Sequence, residues 1–263
     1  MIAAMWWACE HDPAEGSEFA APTGPSRADA LGGCVSEAAP DDGFTYVDSF
    51  DDRGNPLHRD VAYGGSVRGA VDWSYDADGY PLSMVESGGI FDDEVTYTWS
   101  TDHLSLEMVS TLLVERLEFD SALGFPFDVW REVDDLADGD VDATWRQVWR
   151  AEGAERVGEG VLTYYGRVAD LSLVASAEGY LHRGESVWED GERQVIERVG
   201  WSGAGWYEGG TAERTVLGQL REREVVSATL DEAGRLTSSV STVDWPLDGS
   251  SEQFSVEVVW DCP

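Results

Sequence analysis

From Phe44 onward, apolar and polar side chains alternate with a period of two. Thr45, Val47 and Ser49 alternate with Phe44, Tyr46, Asp48 and Phe50, and Glu94, Thr96 and Thr98 alternate with Val95, Tyr97 and Trp99. Short runs of this kind, rich in β-branched and aromatic residues, predict half-buried strands. Glycines punctuate them at Gly54, Gly64-Gly65, Gly79, Gly88-Gly89, Gly139, Gly153, Gly179, Gly191, Gly209-Gly210, Gly234 and Gly249, where hairpin turns are expected. The last run is 256–260. One segment is ambiguous: Leu104, Met108, Leu112 and Leu113 fit one face of a helix, yet Leu104, Leu106 and Met108 also alternate. Trp99-Ser100-Thr101-Asp102 matches Trp73-Ser74-Tyr75-Asp76, and each leads into a similar apolar run, so 104–109 is predicted as a strand. The turns predict about 12 to 16 strands in an all-β antiparallel meander of repeated hairpins. Such a sheet is strongly twisted or curled and closes into a barrel or folds over as a sandwich.

The hairpins share a motif. Tyr75-Asp76-Ala77-Asp78-Gly79-Tyr80-Pro81-Leu82 has the same layout as Phe50-Asp51-Asp52-Arg53-Gly54-Asn55-Pro56-Leu57. Phe119-Asp120 through Gly124 repeats it with one residue inserted, Leu230-Asp231-Glu232-Ala233-Gly234 repeats it without the proline, and Ser176-Ala177-Glu178-Gly179 is a worn copy. Each part has a local role: Asp bonds the backbone two residues on, Gly takes positive φ, and Pro keeps its predecessor extended. Asp51, Gly54, Asp76, Gly79, Asp120, Gly124, Asp231 and Gly234 are therefore assigned to turn structure. At these residues the chain resembles the YD-repeat, or Rhs-type, family, whose consensus is Tyr-Asp, two variable residues, Gly, a polar residue and Leu. The resemblance implies consecutive hairpins in one continuous sheet. It covers short segments only, with uneven spacing, and the chain is too short for that family's enclosing shell. The chain is also similar to bacterial envelope lipoproteins built from repeated β-hairpins.

The first 43 residues read differently. Residues 1–9 are apolar and end in Ala8-Cys9, like the end of a lipoprotein signal in which Cys9 takes the lipid, although the stub lacks the usual positive charge. Residues 10–43, rich in Glu, Asp, Ala, Pro, Gly and Ser, read as a disordered acidic tether. Residues 44–263 then form a single β domain. Cys34 and Cys262 bracket that domain; if paired, they close a loop worth roughly 5 kcal/mol in the chain-entropy account, and they point to an oxidising compartment. The expected location is the periplasm, outer membrane or cell surface of a bacterium, with membrane contact only through the lipid.

Charge narrows the functional classes. Against 52 Asp and Glu stand 17 basic residues, a net charge of -35. Such a field repels nucleic acid and anionic headgroups and leaves a cationic or protein partner as the expected kind. Every basic residue is Arg; the absence of Lys excludes Schiff-base chemistry and the P-loop lysine. His11, His58, His103 and His182 are scattered, with no HExxH, GxSxG or GxGxxG around them. His58 and His182 each follow a turn glycine and a leucine and are read as equivalent strand positions. Asp138, Asp140 and Asp142 form the most calcium-like run, but Ala143 and Trp149 stand where an EF-hand needs Gly and an acid. No metal site is assigned, and calcium is the one cofactor considered. Trp130, Trp145, Trp149, Trp201 and Trp206 are read mainly as core, with Trp145 and Trp149 on one strand face. The expected function is a non-enzymatic envelope lipoprotein, a structural or binding module. The alternatives are a polysaccharide hydrolase with a carboxylate pair and a carrier of an apolar ligand inside a barrel.

Overall fold

The computed structural model describes residues 27–41, 43–88, 93–120, 125–134, 140–177 and 179–263. Among these, one short helix, α1 (Arg27–Leu31), precedes eighteen strands. The first nine are β1 (Val35–Pro40), β2 (Phe44–Phe50), β3 (Pro56–Tyr63), β4 (Ser66–Tyr75), β5 (Pro81–Ser87), β6 (Asp93–Trp99), β7 (Ser105–Val109), β8 (Leu113–Asp120) and β9 (Phe125–Val133). The others are β10 (Ala143–Glu152), β11 (Glu155–Tyr164), β12 (Arg167–Ser176), β13 (Leu181–Trp188), β14 (Glu192–Trp201), β15 (Tyr207–Val216), β16 (Gln219–Leu230), β17 (Leu236–Trp245) and β18 (Ser250–Asp261).

Each strand pairs antiparallel with the next, and β1 pairs with β18 in the register Val35↔Asp261 to Pro40↔Val256, so the meander closes into an eighteen-stranded barrel. Closure removes the unpaired edges that an open sheet of this width would present. The ambiguous segment is strand, β7. The strand number exceeds the turn-based expectation, and the expected tether over 10–43 is corrected: Arg27–Leu31 is helical, and Val35–Pro40 is a full member of the ring. The alanines and Pro40 of β1 mask its strand character, and pairing to β2 and β18 on both sides supplies what propensity does not. Cys9 lies outside the described residues.

A single closed sheet has one face that can exclude water, its inside. On β12, Ala169, Leu171, Leu173 and Ala175 are buried while Asp170 and Ser172 are exposed; on β10, Gln147 and Trp149 are buried while Arg146, Val148 and Arg150 are exposed. Trp145 shares the inward face, and Trp149 is only 4% exposed. Glycines admit these large groups: a Cβ on Gly158, opposite Trp149, would lie 2.8 Å from its ring. The outer wall is mixed, with Glu94, Arg146, Arg150, Glu159 and Asp170 exposed beside outward-facing Val148, Val161 and Val187.

Antiparallel order sends every even-numbered strand toward the same mouth. There, six turns share one construction. Residues 51–55, 76–80, 176–180, 202–206 and 231–235 each make the same two backbone bonds, as in Asp76 N–H to Tyr80 O and Gly79 N–H to Asp76 O, and 100–105 is a one-residue-longer variant. The fourth position takes positive φ in all six, as Gly in five and His103 in the sixth. The leading Asp Oδ1 accepts from the backbone N–H groups two and four residues on in the turns at Asp51, Asp76 and Asp231. Ser Oγ takes the bond from the fourth residue on at Ser100, Ser176 and Ser202. This is the three-residue hairpin loop with a bulge, and ladder bulges precede the turns at Asp51, Asp76, Ser176 and Asp231. Asp120 ends β8, and Gly124 lies outside the described residues.

The aromatic residue before the turn has its own task. Tyr75 Oη donates to Pro56 O, Trp99 Nε1 to Pro81 O, Trp201 Nε1 to Leu181 O and Trp260 Nε1 to Leu236 O. Each ring thus latches its strand to the carbonyl two residues beyond the turn position of the preceding hairpin.

Candidate functional site

The mouth bearing the repeated turns is crossed by α1. Ala30 and Leu31 are buried against Ala204, Phe50, Trp206, Ala233 and Trp260, contributed by hairpins from both sides of the seam. Arg27 donates to Gly54 O, and Gly33 N–H donates to Asp51 O. Burial pulls the Arg27 guanidinium down from its usual range, opposed by Tyr75, Tyr180 and Asp51. Tyr75 ends β4 and Tyr180 precedes β13, on opposite arcs of the ring, so Arg27 lies across the mouth between them. A disulfide joins Cys34 to Cys262 where α1 meets the β1–β18 seam.

Beneath α1 lies a cavity of about 240 Å³. Ser36 and Ala38 of β1, Tyr46, Asp48 and Phe50 of β2, Arg59 of β3, and Val256, Val258 and Trp260 of β18 form most of its lining, completed by Trp206 and Leu236. Phe50, Trp206 and Trp260 line the cavity and also pack against α1, which itself contributes no lining residue. One ion pair stands in it: Arg59 donates through Nε and Nη2 to the two oxygens of Asp48, at 2.6 and 3.0 Å. The hydrogen bonds that Arg59 donates to Asp48 raise the Arg59 pKa above its usual value. Arg59 also lies 5.9 Å from the centre of the Tyr46 ring, and Arg235 5.6 Å from that of Trp260. The space is concave, mostly apolar and aromatic, with a few fixed polar groups, and is smaller than the usual small-molecule pocket of about 300–1,000 Å³. Sequence reasoning did not single out Ser36, Ala38, Asp48 or Arg59. The signal available in retrospect is the turn copy Ser202-Gly203-Ala204-Gly205, which fixes the position of Trp206.

Elsewhere the inner wall carries charges that are satisfied internally. Glu115, 5% exposed, accepts both bonds from Arg131, which lies over Trp145. Burial raises its pKa and Arg131 only partly opposes this. Burial also pushes the Glu192 carboxyl up, but hydrogen bonds from Arg214, Arg167 and Gln194 outweigh it and hold the group at about 2.

The remaining candidates do not assemble with the cavity. His58 sits on the outer wall between Asp72 and Asp60, whereas His182 is buried inside. Their expected equivalence is corrected: His58 is four residues past its turn glycine and His182 three, and an offset of one residue reverses the face. Asp140 and Asp142 lie in the β9–β10 connection, at the mouth opposite α1, and Asp138 is outside the described residues. Among the described residues, no three His, Cys, Asp or Glu are grouped so as to hold a metal ion. Trp130 faces outward, in a shallow dish of about 270 Å³ with Arg116, Glu118, Asp128 and Arg146. Glu118 and Asp128 are cross-strand partners there, and Arg146 holds Asp128.

No protein-family model and no curated protein matches the chain. Among solved structures, it is similar to a porin-like protein from Bacteroides vulgatus, at 9% identity and a TM-score of 0.45, over 77% of this chain and 96% of that one. It is also similar to a porin-like protein from Bacteroides uniformis, at 9% identity and a TM-score of 0.34, over 87% of this chain and 96% of that one.

Proposed function

We propose that this chain is a non-enzymatic, exported binding barrel that holds a small molecule beneath α1 and meets the membrane only through a lipid on Cys9. The observation that carries the reading is the concave cavity at the β18–β1–β2 seam, with four aromatic rings and one internally neutralised ion pair in its wall. Two further features support the location. The Cys34–Cys262 bridge suits an oxidising compartment. The outward arginines Arg146 and Arg150 suit water, because Arg on the lipid face of a barrel costs about 2–4 kcal/mol at the bilayer midplane. The cavity has one carboxylate, Asp48, committed to Arg59; the competing hydrolase reading would have to use Glu118 and Asp128 in the outer dish.

Native mass spectrometry of the protein from its own cells tests both halves of the proposal. The expected spectrum shows a chain beginning at a lipidated Cys9, with a non-covalent small-molecule adduct that is lost in Ala38→Trp, which fills the cavity. An unmodified N-terminus overturns the anchor. Identical spectra for wild type and variant overturn the binding site.

A further inference from the structure

Three hairpins at the mouth opposite α1 close on the same two-residue turn, with the cross-strand pairs Tyr63↔Ser66, Tyr164↔Arg167 and Val216↔Gln219. Both central residues take positive φ in each: 56° and 78° at Gly64-Gly65, 46° and 76° at Tyr165-Gly166, and 50° and 77° at Leu217-Gly218. Such a turn favours Asn, Asp or Gly at its first position. Gly64 meets that preference, whereas a tyrosine and a leucine stand there in the other two, where a bulky side chain is disfavoured. Neither offsets the strain by burial: Tyr165 is 53% exposed, and Leu217, at 78%, is the most exposed large hydrophobic residue among those described. Strain kept at exposed tips points to a role outside folding.

The two tips belong to one surface. Between them stands the β13–β14 turn, tied to the first tip by Arg167, which donates to Asp190 at 2.6 Å, and to the second by the Leu217 backbone N–H, which donates to Gly191 O. A Cβ on Gly191 would lie 2.8 Å from Leu217 Cδ2, so its absence lets the leucine lean over this middle turn. Glu189 and Asp190 are exposed there, and Arg167 is already engaged by Asp190 and Glu192. The arc thus offers apolar tips on either side of an acidic centre. A second copy would set Glu189 and Asp190 against their own kind, and anionic headgroups would meet the field of a chain with net charge -35. A basic surface finds complementary charge.

We propose that the hairpin tips from β11 to β16 form a docking surface for a basic protein, whose apolar pocket receives Leu217 and Tyr165 while its Arg or Lys side chains pair with Glu189 and Asp190. The apolar tips supply affinity, and the acids select the partner.

Short fluorescently labelled peptides stand in for the partner: one alternates Arg and Leu, a second Arg and Ser, a third Glu and Leu. Anisotropy titrations with the full chain at physiological salt are expected to place the first about tenfold or more above the second, the worth of burying a leucine-sized group, with no binding of the third. In the double variant Tyr165→Asn with Leu217→Asn, that ratio is expected to fall to about one while the thermal midpoint rises, because Asn suits both turn positions. Glu189→Arg is expected to weaken the Arg-Leu peptide severalfold and leave the melt unchanged. No binding of the Arg-Leu peptide, equal affinity for Arg-Leu and Arg-Ser in wild type, or a preference that survives the double variant overturns the docking surface. Equally tight binding of the Glu-Leu peptide overturns the basic partner. A wild-type dimer in sedimentation, or flotation with phosphatidylcholine vesicles, that the double variant abolishes reassigns the surface to a second copy or to a membrane. A double variant that melts no higher than wild type removes the turn strain on which the proposal stands.

Discussion

The two arcs of the barrel are built differently inside. Every strand from β4 to β14 contributes at least one buried residue, among them Trp73, Val95, Leu106, Val129, Trp149, Leu173 and Trp188. On the arc from β15 through β18 and round to β3, Ser36 is the only buried strand residue among those described, and inward positions such as Val226, Ser241, Val256 and Val61 are half-exposed. The hydrogen-bonded ladder is continuous round both arcs, so backbone pairing does not distinguish them. What differs is what stands behind the ladder: buried rings and aliphatic groups on one side, and half-exposed side chains, the cavity and the helix α1 on the other. A closed sheet can thus be dry and rigid over one arc and receptive over the other, with the covalent bridge placed at the seam of the less packed arc.

The largest test of this contrast is removal of that bridge. Cys34→Ser with Cys262→Ser is expected to lower unfolding stability by as much as roughly 5 kcal/mol, measured by urea titration. An unchanged midpoint would mean that the β1–β18 pairing holds the seam without help. Next comes packing itself. Trp149→Ala is expected to cost about 3–5 kcal/mol, because the pocket facing Gly158 cannot collapse. Val226→Ala, on the half-exposed arc, is expected to cost about 1 kcal/mol or less. Similar costs for the two would erase the distinction between the arcs.

The smallest test uses the two buried glutamates as reporters within the packed arc. Glu192, held at about 2 in the folded chain against an ordinary 4.5, contributes stability above pH 4.5 that disappears as pH falls toward 2. Glu115, raised by burial, behaves oppositely: its favourable contribution is complete below pH 4.5 and is lost as pH rises through its elevated folded value. Thermal melts of wild type, Glu192→Gln and Glu115→Gln across the acid range should therefore give differences of opposite slope. Parallel slopes would show that the arginine cluster around Glu192 does not act as described.

Much of this architecture is legible in the sequence. The leading acid and glycine of the motif identify the repeated turn because hydrogen bonding and positive φ demand them locally, and the alternation through 94–99 and 104–109 identifies strands by itself. Closure is not legible in the same way. β1 is Val35-Ser36-Glu37-Ala38-Ala39-Pro40, a composition that reads as linker, and it becomes a strand only because β2 and β18 present complementary edges. The cavity follows from closure, since most of its wall comes from the first three strands and the last. Residues as distant as Ser36 and Trp260 become register partners only at the seam. The place of Trp206 at the cavity is hidden for a related reason, its turn using Ser202 where the more visible copies use Asp.

The seam also dictates a schedule. Cys34 and Cys262 are 228 residues apart, so the first strand cannot find its second neighbour until nearly the whole chain has been synthesised and delivered. Until then the growing meander is an open ribbon with two free edges, each able to capture a strand from another copy. Contacts this remote in sequence also form slowly, because a long loop must be closed before they are rewarded. An oxidase that forms the bridge would therefore act as the final checkpoint of assembly, covalently fixing only those chains whose two ends have already met.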